Sequence, residues 1–417
     1  MKRNAFYAQS GGVTAVINAT AASVILEAKK HKKIGKVYAG KYGILGALRE
    51  ELYDTSKESI SALNSLFYRP GGVFGSCRFK LKDIHTDRKE YLRLIEVFKA
   101  HNIGYFFYNG GNDSADTAYK VSKISEELGY PLTCIAIPKT VDNDLVLTDC
   151  CPGFGSAAKY IATSTLEAAL DVESMAESST KVFILEVMGR HAGWMAASSA
   201  LARNDNSSSP HIILLPEIIF KEKKFLNKVK EVVTKNGFCV IVASEGIKNS
   251  KNKFVAESDT KDAFGHVQLG GVAPKLSSLI SNKLNLKNHW AVADYLQRSG
   301  RHIASLTDLE HASAVGKKAV EYAVKGLNGV MPVIVRKKTK RYSWEIKPAP
   351  LSKIANLEKK LPASFISKDG LNVTPKAIKY LMPLIQGEAP SRFEKGIPKL
   401  IKFKLKLEKR KLPKWNL

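Results

Sequence analysis

The chain has 417 residues, 44% of them hydrophobic and 25% charged, with a formal net charge of +26. This describes an ordinary soluble globular protein, long enough for two or three domains with well-buried cores. No apolar run approaches the roughly 18 residues that a membrane span needs, and Met1-Lys2-Arg3 leads at once into a strand-like stretch, leaving no room for a signal-peptide core.

Residues 5–8 read as a first buried strand, ended by Ser10-Gly11-Gly12 and followed by a helical stretch over 15–28. A second strand covers 37–39. Gly35, Gly40 and Lys41 have the spacing of a P-loop, but Tyr42 replaces the hydroxyl residue that would hold magnesium, and Gly35 precedes a strand instead of following one. A helix at 91–100 leads to a strand at 103–108, then Gly110-Gly111-Asn112-Asp113-Ser114 and a helix over 114–128. A strand at 132–137 runs into Pro138-Lys139-Thr140-Val141-Asp142-Asn143-Asp144, and a helix over 155–170 follows. Further strands are expected at 182–187, 212–215 and 238–243, with 204–210 a surface loop by composition. Strand and helix in alternation predict an α/β protein with two Rossmann-like parallel-sheet domains, helices on both faces and a C-terminal extension. Residues 1–150, completed by part of 265–320, form the first domain; 151–264, completed by 321–336, form the second; 337–417 are a basic extension. In its tail Ile401, Phe403, Leu405 and Leu407 alternate with charged residues, the period of a half-exposed strand.

The lysines that dominate the positive charge are scattered over the whole length, which describes a solvated surface better than a nucleic-acid patch. A positive field also draws in small polyanions. Five cysteines, with Cys150 and Cys151 adjacent, make neither a metal spacing nor a disulfide framework, and a reducing cytoplasm is the simplest setting.

Both glycine-bearing segments sit at the carboxyl ends of buried strands, the edge where doubly wound folds bind ligands. A lone Gly11-Gly12 turn can be steric, and Asn112 or Asp113 alone could be a helix cap. A cap does not explain paired Gly110 and Gly111, nor Lys139, Thr140, Asp142 and Asp144 in one turn. Glycines let amides close on phosphate, and the aspartates supply a base and a charge that can face a metal, so the pattern predicts phosphoryl transfer. Glu186-Val187-Met188-Gly189-Arg190-His191 places an arginine at another strand end, suited to a substrate phosphate. Glu245 after Ser244 could accept sugar hydroxyls. His266 by itself reads equally as a core histidine, and Tyr295 and Arg298, on one face of a helix, read as surface.

Taken in order, Ser10-Gly11-Gly12, the 110–114 and 138–144 segments, Met188-Gly189-Arg190, Glu245 and Tyr295-Leu296-Gln297-Arg298 resemble the phosphofructokinase family, most closely its pyrophosphate-dependent 6-phosphofructokinases, over about residues 4–330. The resemblance implies that Asp142 accepts the proton of the 1-hydroxyl of fructose 6-phosphate, with Thr140, Val141 and Asp144 beside it. Met188, Gly189, Arg190, Glu245, Tyr295, Arg298 and Lys181 would hold the sugar phosphate. Lys181 stands where the family has a phosphate-binding arginine, and Leu269 where ATP-using bacterial members have another, so the grip rests more on Arg190 and Arg298. Gly11, Gly12, Gly111, Arg78, Asp113 and Lys139 would face the donor in the first domain, leaving the sugar phosphate to the second. Asn112 stands where the family commonly has an acidic residue facing Mg2+, so the metal is expected to rest mainly on pyrophosphate oxygens.

ATP-using members have glycine at Asp113 and a small residue at Lys139. A carboxylate would repel the α-phosphate of a nucleotide, and an ammonium would stabilise the transferring group and leaving phosphate. A charge pair at 4 Å with an effective dielectric of 20 is worth about 4 kcal/mol before desolvation. Both residues therefore point to pyrophosphate. An ATP-dependent kinase of the same family, a nucleic-acid-binding protein on a retired scaffold, and relaxed acceptor choice such as sedoheptulose 7-phosphate are the alternatives. The resemblance also implies a homodimer or homotetramer, because relatives draw residues from a neighbouring subunit.

Overall fold

A computed structural model describes residues 2–82, 84, 86–205, 207–261 and 267–415, and of residues 257–261 and 267–268 the backbone alone. His266 lies outside the described residues. The strands are β1 (Arg3–Gln9), β2 (Ile34–Gly40), β3 (Leu52–Asp54), β4 (Ile103–Gly110), β5 (Thr133–Pro138), β6 (Val182–Val187), β7 (Ile212–Leu214), β8 (Cys239–Ser244), β9 (Glu257–Lys261), β10 (Val267–Leu269), β11 (Asn288–Val292), β12 (Val330–Arg336), β13 (Trp344–Pro350), β14 (Phe393–Glu394) and β15 (Ile397–Pro398). A seven-stranded sheet runs β13-β12-β5-β4-β1-β2-β3, and a four-stranded sheet runs β11-β6-β8-β7.

The apolar runs of the sequence became strands because they are covered on both faces. In β1, Ala5 and Tyr7 enter one core while Phe6 and Ala8 enter another, where Phe98 and Phe106 pack on Phe6. Helices Ile17–Ala28 and Leu306–Val324 pack on each other over one face of the larger sheet, and Lys89–Ala100 lies over the other. The cores of the larger sheet are parallel, with antiparallel β13 and β3 only at the edges. Lys41, the end of the P-loop-like spacing, pairs with Glu51 at 3.2 Å and takes no part in a phosphate loop.

Sheet topology places the site. In the larger sheet the chain leaves β1 toward β2 on one side, and β4 lies on the other. That reversal opens a crevice beyond the carboxyl ends of β1 and β4. In the smaller sheet β6 likewise has β8 on one side and β11 on the other. Loops from both sets of carboxyl ends line one shared cleft.

Two expectations are corrected here. Strand β12 pairs with β5, through Val330 and Ile135, so residues 330–336 complete the first sheet and not the second. Of the 265–320 segment, part of which is expected in the first domain, the helix Leu306–Val324 packs on Ile17–Ala28 over the first sheet, while strand β11 pairs with β6 from Asn288–Val182 to Val292–Glu186 and belongs to the second. The tail around Ile401 and Leu407 is not a strand. The Glu58 carboxylate accepts the amides of Lys404 and Leu405 at 3.1 and 2.8 Å, where a strand partner would otherwise bond. Leu405 has φ of +47°, which breaks the alternation. The tail touches β3 through single backbone bonds, Asp54 N to Lys406 O and Glu408 N to Leu52 O. No helix among the described residues is long and apolar enough to cross a membrane, and all five cysteines are free and buried.

Candidate active site

The cleft has a volume of about 530 Å³ and its floor is built by three loops of the larger sheet. After β1, Gly11 takes φ of +72°, which glycine adopts without strain. Its amide bonds to Cys77 O at 2.9 Å and its carbonyl accepts Ser76 Oγ at 2.7 Å, which brings the neighbouring Arg78 to the cleft. Gly12 is crowded: a Cβ there would lie 2.4 Å from Arg298 Nη1. After β4, Gly111 caps the helix Asn112–Glu127, so the first turn of a 16-residue helix aims amides into the cleft. Asp113, in that turn, pairs with Lys80 at 3.1 Å with both side chains roughly half exposed.

The loop after β5 carries most of the charge. Lys139 is buried, its amide bonded to Gly110 O at 3.1 Å and its Nζ to Gly12 O at 2.8 Å. Burial and the nearby Arg298 push its pKa down to about 8, against the pull of Asp142. Thr140 Oγ1 accepts the Asp142 amide at 3.1 Å and lies 3.5 Å from Asp142 Oδ2. Burial raises the Asp142 carboxyl above the usual aspartate range, with Lys139 and Thr140 opposing. Burial, with Asp142 next, lifts Asp144 to about 7. Two carboxylates beside a buried ammonium make a proton-accepting site with its counter-charge in place.

Asn112 sits against this loop, its Nδ2 3.5 Å from Asp144 Oδ2, while its Oδ1 is buried with no partner. An orphaned amide oxygen next to a carboxylate suits a hard, oxygen-preferring cation. Among the described residues no group of three His, Cys, Asp or Glu side chains could hold a metal alone.

The opposite wall comes from the smaller sheet. Beyond β6, the Met188 amide bonds to Gln297 Oε1 and the Gly189 amide to Glu245 Oε1, each at 3.2 Å. Gly189 has φ of +142°, and its carbonyl accepts Ser244 Oγ at 2.5 Å. Burial lifts Glu245 to about 7, with the field of Asp142 adding to the rise. Arg190 joins them in the cleft. From the helix Asp294–Ser299 come Tyr295 and Arg298, the guanidinium carbon 3.8 Å from the centre of the tyrosine ring. Arg78, Lys139, Arg190 and Arg298 thus face a space that also holds Asp142, Asp144 and Glu245, the charge pattern of a site for phosphorylated, hydroxyl-bearing ligands.

The phosphofructokinase family model matches residues 4–323. The chain belongs to the phosphofructokinase family. It is 57% identical over its whole length, and over the whole of the relative, to the pyrophosphate--fructose 6-phosphate 1-phosphotransferase of Halomonas elongata. It is 58% identical to the enzyme of the same name from Xanthomonas campestris pv. campestris, with 99% of each chain covered. The crystal structure of a pyrophosphate-dependent phosphofructokinase from Nitrosospira multiformis superposes with a TM-score of 0.92 at 54% identity, covering 99% of this chain and 100% of that one.

In this family member the cleft gathers Gly11, Gly12, Arg78, Gly111, Asn112, Asp113, Lys139, Thr140, Val141, Asp142, Asp144, Met188, Arg190, Glu245, Tyr295 and Arg298, with Gly189 immediately behind. Lys181 is not among them. It precedes β6 at the amino end, about 20 Å of strand away from the cleft, and its Nζ bonds to the carbonyls of Ala176 and Glu177. Sequence reasoning missed His191, Asp294 and Glu358 as lining residues, and Gln297 as the support of Met188. His191 and Asp294 adjoin recognised segments and could have been read from them. Glu358 has no local signal.

Proposed function

We propose that the chain moves a phosphoryl group from pyrophosphate to the 1-hydroxyl of fructose 6-phosphate, giving fructose 1,6-bisphosphate and phosphate, in either direction. The observation that carries this reading is that buried Lys139 and Asp142 line the same cleft, whose donor side also bears Asp113. The names of full-length relatives support it.

Asp142, more basic than an ordinary aspartate, takes the proton of the attacking hydroxyl and returns it in the reverse reaction. Thr140 fixes its carboxylate. Lys139 and Arg78 balance the charge that gathers on the transferring group and on the departing phosphate. Arg190 and Arg298 grip the 6-phosphate, and Glu245 accepts sugar hydroxyls. Asp113 disfavours a nucleotide in the donor position. Asp144 and Asn112 Oδ1 would help pyrophosphate oxygens hold magnesium, which would supply charge neutralisation.

The enzyme works in the cytoplasm as a homodimer or homotetramer. Exposed Trp290, Tyr295 and Leu296 on and beside edge strand β11 support association through that face. Lys181 then serves a sugar phosphate only across a subunit boundary. The test is an aldolase-coupled assay with fructose 6-phosphate, magnesium and pyrophosphate on the wild type and Asp142→Asn. Turnover by the wild type and a kcat lower by about 10²–10⁴-fold in a folded variant are expected. Equal turnover by both would overturn the assignment of the base.

A further inference from the structure

Two residues of the C-terminal extension reach the catalytic loop from beyond residue 323, where the family match ends. Glu358 forms an antiparallel bridge with Leu145, directly after Asp144. The Lys359 amide donates to Asp144 O at 2.6 Å. Its Nζ donates to Thr148 O and Asp149 O, both at 2.9 Å, and to Asn143 Oδ1 at 3.4 Å. The Lys359 carbonyl accepts Trp194 Nε1 at 3.0 Å, and its ammonium lies 5.2 Å from the Trp194 ring centre. One side chain thus spans the loop, beside the Cys151–Asn143 bond and the Thr140–Gly153 bridge that also draw its ends together.

The loop needs such a tie. Asn143 has φ of +53°, a left-handed conformation that asparagine tolerates better than other non-glycine residues, and it is fully buried, so contacts to its side chain bear directly on the backbone between the two aspartates. Within the loop, the Asp142 amide bonds to Thr140 and the Cys151 amide to Asn143 Oδ1. At its far end Arg336 Nε reaches Asp149 Oδ2 at 3.0 Å and the Tyr380 hydroxyl reaches Asp149 O. The Lys359 contacts reinforce the Cys151–Asn143 bond in joining that anchored end to Asn143, and among those bonds they alone reach Asp144.

We propose that Lys359 is a positioning residue, which through Asn143 and the carbonyls of Asp144, Thr148 and Asp149 sets the backbone that aims Asp142 at the acceptor hydroxyl. The extension is then part of the working site and not an appendage. The inference rests on the function proposed above for its kinetic consequence, but not for the tie itself.

Two readouts test it in full-length Lys359→Met and Lys359→Arg. Methionine keeps the aliphatic stem against Trp194 and removes the three Nζ bonds, whereas arginine restores donors and charge. A displacement of about 1 Å can cost on the order of 10²-fold in rate. Lys359→Met should therefore lower kcat with pyrophosphate and fructose 6-phosphate at least ~10-fold, with both KM values within ~3-fold. Without any substrate, amide hydrogen exchange over 143–151 should quicken at least ~10-fold while the rest of the chain is unchanged. Lys359→Arg should recover most of both. If Lys359→Met does not fold, Lys359→Gln takes its place in both measurements. Unchanged exchange over 143–151 overturns the proposal, as does a loss confined to KM, or an arginine variant no better than the methionine one. A wild type inactive with pyrophosphate would overturn the proposed function alone, since the exchange experiment still decides the role of Lys359.

Discussion

Replacing Lys139 by methionine should give a protein that is more stable and nearly inactive, two effects that a merely structural lysine would not combine. Lys139 is 5% exposed, and burial together with Arg298 and Arg78 brings its pKa from 10.5 to about 8. That difference amounts to about 3 kcal/mol of destabilisation. The sign follows from proton binding: a base with a depressed folded pKa binds more protons unfolded, so the penalty is complete below pH 8 and fades as pH rises toward 10.5. Methionine removes the penalty and fills much of the volume. Part of the gain is returned, because Asp142 loses the cation that opposes its raised pKa and takes up a proton. The net expectation at pH 7 is ~1–2 kcal/mol, or a Tm higher by about 2 °C. Without a preorganised cation in a buried site, kcat should fall by about 10²–10³-fold. Thermal unfolding and steady-state kinetics on the same preparation read both. A variant that melts below the wild type, or keeps more than about a tenth of its activity, refutes the reasoning.

The same lysine predicts that kcat/KM for pyrophosphate, which reports the free enzyme, declines above about pH 8 as Lys139 loses its proton; a profile flat to pH 9.5 would remove Lys139 from the donor site. Asp113 is a weaker determinant than its charge suggests, because it is about 40% exposed and paired with Lys80. Its repulsion of a nucleotide phosphate at 4 Å lies nearer the 1 kcal/mol of water than the 4 kcal/mol of a partly buried site. Asp113→Gly should therefore raise kcat/KM for ATP only ~5–30-fold, with unfolding free energy changed by less than ~0.5 kcal/mol; initial rates with each donor and a urea melt check this. Gly12→Ala would place a Cβ 2.4 Å from Arg298 Nη1, the movable end of a long side chain, so Arg298 swings and the backbone stays. KM for fructose 6-phosphate should rise about 10-fold with Tm nearly unchanged, and an unchanged KM would show that Arg298 does not hold the sugar phosphate.

What was legible in the sequence was what is local. Strands β1, β4, β5 and β6 are covered on both faces, so they read as unbroken apolar runs, and the glycines and aspartates that follow fall at their carboxyl ends. What failed depended on long-range pairing. Strand β12 contains Pro332, which argues against a strand inside a sheet, and β11 is a short edge strand with Trp290 and Val292 exposed. Neither local pattern says which sheet it joins, so residues 330–336 are expected in the wrong sheet. Lys181 is expected at the sugar phosphate from the family resemblance, although strand direction puts it at the opposite end from Arg190. Lys359 lies in a stretch without motif or period, and only its contacts with Asp144 and Asn143 give it meaning.

The proposed fit of this cleft to inorganic pyrophosphate rests on a buried ammonium and an acidic neighbour. Its most direct measurement is the initial rate of fructose 1,6-bisphosphate formation by the wild type, with magnesium and fructose 6-phosphate, given pyrophosphate or ATP at equal concentration. Robust turnover with pyrophosphate and a rate at least ~10-fold lower with ATP are expected. Equal rates, or a preference for ATP, would contradict that fit.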